Sequence, residues 1–572
     1  MIRLHVKLLG LAACLACAAL PLAAQEQPRV ELIHGHFLGA TPPMRDYIAT
    51  HHAKPNAPFR VFPLRMQGSR PGNGGGSGKS GWTDPALQTS SSLKQNYDSG
   101  AVVIDDASAV GYVPPDTNIS VGNGQIVEAV NVDYAVYSTS GSQLEAPAAI
   151  HQIFAAAAEA KTGNVTANDI CASVDGGDPI VLYDKIDSRW IVSQLAFSNS
   201  LNDDHECVAI SQSPDATKGY YAYDFSFGNN FPDYPKLGIW ADGSFSDSTS
   251  HAGVYFSANI YAHGGRFTGA DMCAFPLSDV ASLPKSITFV CAQNGPSVFS
   301  ILPADLEGVP HGSTSPAPPG TAEYYLEFSG SSTLTLFQFT PDFSQDTAVV
   351  SNPVSITVAP FQEACGGVAC VPQATVNEPL DSLGDRLMYR LSYRNYGSKS
   401  AIGQSLVVTQ SVQDSSSGNQ TGVRWYQLSS NYLNTAASGW GVYLQGTFGP
   451  DDGSYRWMGS IAQDRMGDLG IGYSVSSPSL FPGLAFTGRT PTDGTAVSTS
   501  SGLTYGLLEP ETFDNFGAGA QKSVNRWGDY SSTSVDPSND CTFWYANEYL
   551  KSTGSYTNWG TYIVNFQFTG CH

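Results

Sequence analysis

The chain lacks the signature motifs of most common enzyme chemistries. Across its 572 residues there is no GxSxG elbow, no P-loop and no dinucleotide fingerprint set between a strand and a helix, so serine-hydrolase, nucleotide and nicotinamide chemistry have no motif support. HExxH is missing, and His251 and His263 lack the spacing of a zincin helix. Beyond the first 24 residues no CxxC pair or histidine cluster accompanies the thiols, which leaves zinc without a ligand set. Basic side chains are scarce, 28 Lys and Arg against 50 Asp and Glu. Residues 101–572 carry the whole deficit, with 18 basic against 45 acidic groups, whereas residues 25–100 hold 8 against 5. So acidic a body repels nucleic acid and anionic membrane, and it also keeps an exported protein in solution. Beyond the first 24 residues no stretch approaches the ~18 continuous apolar residues that span a bilayer, so no transmembrane segment is expected. Helical periodicity is nearly absent too, HQIFAAAAEA at 151–160 being the one clear helical stretch.

What the chain does have begins with a short cationic head, MIRLHVK, then LLGLAACLACAALPLAA, the layout of a secretory signal peptide cut near Ala24. A secreted or periplasmic location follows. LAAC at 11–14 also fits a lipoprotein box, but the apolar run before Cys14 is short for lipid anchoring. With Cys14 and Cys17 removed, an even set of cysteines remains, which in an exported chain suggests disulfides. Their order along the chain suggests local bridges: Cys171 with Cys207, Cys273 with Cys291, Cys365 with Cys370, and Cys541 with Cys571. Residues 25–100 contain a flexible linker, GNGGGSGKSG at 72–81, and are expected as a disordered arm, a tether or a basic pro-segment laid on the acidic body.

From 101 onward the chain is short strands rich in Val, Ile, Tyr, Phe and Trp, separated by Gly, Asp, Asn, Ser and Pro turns, an all-β pattern. The strands recur in one format, an inner segment opening on a charged or aromatic residue, followed by an apolar return. DPIVLYDKIDSRWIVSQLAF (178–197), DYPKLGIWADGSF (233–245), DRLMYRLSYRNYG (385–397), RWMGSIAQDRMGDLGIGYSVSS (456–477) and RWGDYSSTSVDPSNDCTFWYANEYL (526–550) show it. Two less regular units, at 116–139 and around FVCAQNGPSVFSIL with LTLFQFTPDF, bring the total to seven. Small sheets that bury their faces against one another and close in a circle make a β-propeller. A single seven-bladed propeller over 101–572 is therefore expected; six or eight blades, and a pair of β-sandwich domains, are the alternatives.

GGDPIVLYDKIDSRWIVSQLAF, ECVAISQSPDATKGYYAYDF, DYPKLGIW, LDSLGDRLMYRLSYRNYG, RWMGSIAQD and RWGDYSSTSVDPSNDCTFWYANEY together resemble a family of large secreted bacterial β-propeller proteins, over roughly 105–570. The resemblance marks the fold and carries over no catalytic residue. A more distant similarity is to sialidase-like propellers, whose Asp-box hairpin runs Ser-x-Asp-x-Gly-x-Thr-Trp. Ser534, Asp536, Thr542 and Trp544 offer a stretched version, with Asp540 and Cys541 lengthening the turn. That box is structural, which implies a hairpin corner here. Sialidase chemistry needs a tyrosine and glutamate couple, whereas Glu548 and Tyr549 are adjacent and face opposite sides of a strand.

In a propeller the starting ends of the inner strands converge at one mouth of the channel. Alignment of the repeats puts Asp116, Asn118, Asp175, Asp178, Asp233, Lys236, Asp385, Arg386, Arg456, Arg526 and Asp529 there. Arginines can grip a carboxylated sugar through paired hydrogen bonds. Paired carboxylates supply the acid and base of glycoside hydrolysis. The expectation is a monomer that engages extracellular polysaccharide, with Asp178, Asp385 and Asp529 as catalytic candidates. Arg386, Arg456, Arg526, Asp175, Asp233, Trp457 and Trp527 are the ligand-binding candidates. Arg–Asp pairs that merely stitch neighbouring blades would look the same. Trp425, Tyr426, Trp440, Tyr443 and Trp457 offer sugar-stacking surface or core. No cofactor is required; Ca²⁺ is an option at the turns holding Asp175, Asp178, Asp451, Asp452, Asp464 and Asp468, though no full EF-hand loop occurs. A non-catalytic adhesion scaffold and a peptidase or other hydrolase are the competing readings.

Overall fold

A computed structural model describes residues 28–51, 82–105, 107–108, 112–166, 169–197, 203–243, 251–262, 265–282, 286–308, 316–415, 420–497, 504–555 and 558–572. The signal-peptide reading at 1–24 and the linker at 72–81 lie outside them. The described chain is almost all β. Each long stretch of it folds as an antiparallel meander of four strands, because strand-forming runs alternate with tight polar turns. The meander opening at Gly177 is representative: Gly177–Asp184, Arg189–Phe197, Asp204–Ser211 and Tyr220–Gly228 pair in sequence order. Others open with Asn118–Gly122, Asn230–Trp240, Leu302–Leu306, Leu387–Asn395, Tyr455–Gln463 and Ser532–Val535. The sheets are named below by these first residues.

The opening strands form a ring. That of the Asn118 sheet lies against that of the Gly177 sheet, and the contacts pass on through Asn230, Leu302, Leu387, Tyr455 and Ser532 back to Asn118. Side chains stitch the seams by bonding to the neighbouring backbone. Asn118 accepts from Val181 N at 2.9 Å, Asp305 from Ile239 N at 2.9 Å and Ser460 from Thr533 N at 2.9 Å. Ser532 Oγ donates to Ile119 O at 3.0 Å across the seam that closes the circle. Radial sheets around such a ring are a β-propeller. A sheet between two neighbours buries both faces and loses polar–apolar alternation, so GVYFSANIYA at Gly253–Ala262 is buried at every position.

Closure draws on the far N-terminal side. The Ser532 sheet has three strands from the end of the chain, and its outer strand is Tyr97–Asp105, paired antiparallel with Trp559–Phe568. The segment expected as a disordered arm departs from that expectation in a second way. Arg29–Ala40 is a strand inserted between Tyr220–Gly228 and Ile287–Gln293, joining the Gly177 and Asn230 sheets into one of nine strands. Its alternating VELIHGHF satisfies two sheet edges that would otherwise be open. Asp84 in the same region takes a bidentate ion pair from Arg424 at 2.6 and 2.7 Å, and neither side chain is exposed.

FVCAQ also moves: Ile287–Gln293 is the outer strand of the Asn230 sheet rather than part of the next unit, held there by Cys273–Cys291. Cys171–Cys207, Cys365–Cys370 and Cys541–Cys571 form as expected. The helix is His151–Thr162, ended by Gly163 at φ 79°, a left-handed stop that glycine adopts without strain. Asp536 N to Thr542 O at 2.8 Å closes the hairpin read from Ser534, Asp536, Thr542 and Trp544. No described helix is long and apolar enough to cross a membrane.

Candidate functional site

Four opening strands share a device that propensity does not show. Register slips by a bulge at Gly177/Ile180, Asp233/Lys236, Met388/Ser392 and Trp457/Ser460, near the start of each strand. Asp178, Tyr234 and Met458 sit in these bulges with φ of 51°, 58° and 51°. Non-glycine residues in that region cost about 1–3 kcal/mol each and persist where the surroundings demand them. A bulge turns a side chain off its regular face, here toward the channel.

The result is a layered polar cluster. Asp178, Asp233 and Asp385 are half-buried, while Asp116, Lys236, Arg386, Arg526 and Asp529 lie buried among them. Asn131 ties two sheets together, donating to Asp116 Oδ2 at 2.7 Å and accepting from Asp178 N at 2.8 Å. Asp116 Oδ1 accepts from Asp529 N at 2.7 Å. Arg526 pairs with Asp529 at 2.5 Å and with Asp381 at 3.2 Å. Arg386 grips Asp385 through Nε at 2.9 Å and Nη2 at 3.2 Å. The Lys236 ammonium lies 3.6 Å from the Tyr234 ring centroid and 4.2 Å from that of Tyr530, a stacking attraction that offsets part of its burial cost.

Burial and charge set the protonation. Burial pushes Asp178 up to about 7, with Asp233 and Asp529 adding to it and Lys236 and Arg526 opposing. Asp116 is raised by burial, then by Asp529 and Asp178. Burial lowers Lys236 to about 8 against the pull of Asp178, Asp116 and Asp529. Burial opposes the charge on Arg526, but Asp529 and Asp381 outweigh it. Among the described residues the Asp178 carboxylate takes no hydrogen bond, whereas Asp381, which burial also lifts to about 7, is held by Arg526.

No protein-family model matches the chain, and no curated protein matches it. Solved structures do. The endo-arabinase from Bacteroides thetaiotaomicron VPI-5482 matches at 12% identity over 68% of this chain and 98% of its own, with a TM-score of 0.30. The Penicillium chrysogenum alpha-L-arabinanase complexed with arabinobiose matches at 8% over 86% of this chain and 100% of its own, TM-score 0.32. The GH93 alpha-L-arabinofuranosidase of Fusarium graminearum with arabinobiose matches at 8% over 86% and 99%, TM-score 0.30. Likeness of this order assigns neither a site nor an activity.

Several sequence candidates lie elsewhere. Arg456 does not join the cluster: strand alternation sends it into the seam between sheets, where it pairs with Asp452 at 2.7 Å and Glu511 at 2.5 Å. Asp175 accepts from His151 N and meets His151 Nδ1, each at 2.7 Å, tying down the start of the helix. Trp457 and Trp527 are core, their rings 5.8 Å apart and both buried, so neither stacks on a sugar. Trp425, Tyr426 and Trp440 are buried as well, leaving Tyr443 at 40% exposure as the one of that set facing solvent. Glu548 bonds Thr117 at 3.0 Å while Tyr549 bonds Asp105 at 2.6 Å, on opposite sides as alternation requires. Sequence reading missed Asn131, Asp381, Tyr234 and Tyr530; the tyrosines stand beside Asp233 and Asp529 and were readable as strand residues only.

The other end of the channel shows what a purely structural cluster looks like. Lys185 pairs with Glu307 at 3.1 Å, Arg390 with Asp305, and Arg394 with Asp540 at 2.6 Å, all buried or nearly so. Among the described residues, the triplets of ligand atoms within 4.8 Å are Cys171/His205/Asp224 and Asp464/Cys541/Cys571, and their cysteines are spent in disulfides.

His205 gives a pH-dependent contribution to stability. It contacts Asp224 at 2.5 Å and Asp203 at 3.0 Å. Burial opposes its charge, yet the two aspartates prevail and raise it above 6.5. A raised folded value means this stabilisation is complete below about pH 6.5 and fades as pH climbs through the folded value. Denaturant midpoints of wild type and His205→Gln should therefore differ most at about pH 6 and draw together as pH rises through the folded value; a constant gap would contradict the ion pairs.

Proposed function

We propose that the protein is an exported propeller of seven blades, one per meander, that engages extracellular polysaccharide at this mouth and hydrolyses it with Asp178 as proton donor. The observation that carries the reading is the half-buried Asp178 carboxyl, unpartnered and pushed up to about 7. Glycosidic cleavage needs a group that is still protonated near neutrality and can reach the leaving oxygen. Asp233 is close enough to raise Asp178 further, and Asp385, on another of the opening strands' ends, is the acceptor this reading assigns to a sugar hydroxyl. Arg386 holds Asp385 in a fixed orientation, so a bound ring meets a preorganised acceptor. Arg526, Asp529 and Asp116 lie deeper and already satisfy one another, which makes them positioning residues. Reaction at this site balances simply: Asp178 gives its proton to the departing oxygen, and water supplies the hydroxyl at the anomeric carbon and a proton that restores the acid.

A non-catalytic scaffold using the same mouth is the second reading, favoured by how completely the buried arginines are paired within the protein. A polysaccharide panel, assayed for both retention and new reducing ends, separates the two. Hydrolysis should fall at least about 100-fold in Asp178→Asn with retention kept, and the basic limb of the wild-type rate profile, near pH 7, should vanish. Retention without reducing ends from wild type would leave the scaffold. Neither retention nor products across acidic and neutral polysaccharides would end the glycan reading.

A further inference from the structure

A cavity of about 590 Å³ opens between the Asn230 and Leu302 sheets. Its face is fixed by strand direction. Asn230 opens the inner strand, Ala262 closes the next, Arg266 opens the third and Gln293 closes the fourth, and all four line the cavity. In an antiparallel meander those positions share one edge, the edge from which the inner strand starts. The cavity therefore lies on the same face as the mouth. An aromatic pair links them: the Phe299 ring sits 5.2 Å from the Arg386 guanidinium and 5.6 Å from the Phe267 ring, and Phe267 lies between Arg266 and Thr268 of the cavity wall.

Its chemistry is unlike the rest of the acidic body. Arg29 and Arg266 line it, both exposed and without an ion pair among the described residues. Asp271 also lines it, only 3% exposed and with no hydrogen-bond partner among those residues. Burial, with Glu31 adding to it, holds the Asp271 carboxyl well above the usual carboxylate range, which weakens its repulsion of an anion. Asn230 adds an amide, while Val298 and Phe337 give an apolar patch. The volume falls within the range of small-ligand sites, about 300–1,000 Å³.

We infer that this cavity is a subsite for a sugar acid: its carboxylate meets Arg29 and Arg266, its hydroxyls meet Asp271 and Asn230, and its C–H face lies on Val298 and Phe337. The inference rests on the glycan reading of the mouth for the class of ligand, but on different residues. A chain that enters the mouth and crosses the Phe299–Phe267 ridge would place an acidic unit here.

The test is calorimetric titration of the full protein with two probes, a galacturonic acid trisaccharide and a neutral galactose trisaccharide. With a net charge of −22 the body as a whole disfavours the acid, so any preference for it reports a local site. Wild type should bind the acidic probe at least ten-fold more tightly than the neutral one. In Arg29→Ala/Arg266→Ala that preference should collapse while neutral binding and the thermal midpoint stay unchanged, since neither arginine has a partner to lose. Asp178→Asn should keep the preference. Equal binding of the two probes by wild type, or a preference that survives the double substitution, would overturn the subsite. A preference lost only in Asp178→Asn would overturn it in favour of the mouth. Release of reducing ends by wild type, with neutral binding and the acid preference both kept in Asp178→Asn, supports both sites, whereas a preference in wild type that releases no reducing ends removes hydrolysis at the mouth and leaves the subsite.

Discussion

Arg526→Ala should lower the unfolding free energy by about 3–5 kcal/mol, the range for removing one member of a buried ion pair. The reason is the pair of carboxylates it leaves behind. Arg526 meets Asp529 at 2.5 Å and Asp381 at 3.2 Å, and Asp381 is 1% exposed. Without the guanidinium both must stay charged without a counterion or take up a proton. Burial already lifts Asp381 to about 7 with the arginine present, and Arg526 is what restrains it. Raised carboxyls favour the folded state at low pH, and that advantage is lost as pH rises from the unfolded value, near 4, through the folded one. The destabilisation should therefore be largest above about pH 7 and shrink toward pH 5, as urea midpoints across that range would show. Arg526→Lys, which keeps the charge but cannot reach both carboxylates at once, should lose less. A full-strength fold in Arg526→Ala at pH 8 would show that these groups do not stitch the last sheet to its neighbours.

Removing residues 1–105 should abolish cooperative unfolding, whereas removing residues 1–27 should not change it. Three losses coincide in the longer deletion. The Trp559–Phe568 strand loses Tyr97–Asp105 and becomes an open edge. The Gly177 and Asn230 sheets lose the strand Arg29–Ala40 that joins them. Arg424, fully buried, loses Asp84. That last loss alone is worth about 3–5 kcal/mol, against a total stability on the order of 5–15 kcal/mol for folded domains. Differential scanning calorimetry of the two truncations is the check. A transition at the wild-type temperature for the chain starting at 106 would mean the N-terminal strands decorate the ring and do not close it.

The parts of this fold that were legible in the sequence were those set by local rules. Turn chemistry marked the hairpin at Asp536, and neighbouring cysteines in an exported chain gave the bridges. Strand alternation placed Glu548 and Tyr549 on opposite faces. What was not legible depended on long-range pairing or on one-residue shifts. Arg29–Ala40 carries a strand pattern in VELIHGHF, but nothing local says that its partners lie near residues 223 and 290. A bulge at Asp233 or Gly177 reverses which way the next side chain faces, and the sequence there reads the same with or without it. Arg456 was assigned to the mouth by analogy with Arg386 and Arg526; its own strand faces it toward Glu511 instead. Trp457 and Trp527 fit a ligand platform by residue type, yet sheets covered on both faces leave large aromatics inside.

Convergence of side chains from distant sheets on Asp178 is the claim beneath all of these statements, and carboxyl ¹³C NMR of aspartate-labelled protein measures it directly. The Asp178 resonance, identified by its loss in Asp178→Asn, should titrate near 7. Lys236→Met should move that midpoint up and Asp529→Asn should move it down, since Lys236 opposes and Asp529 reinforces the shift. An Asp178 that titrates near 4 and ignores both substitutions would mean that the strands bearing these residues do not meet around one channel.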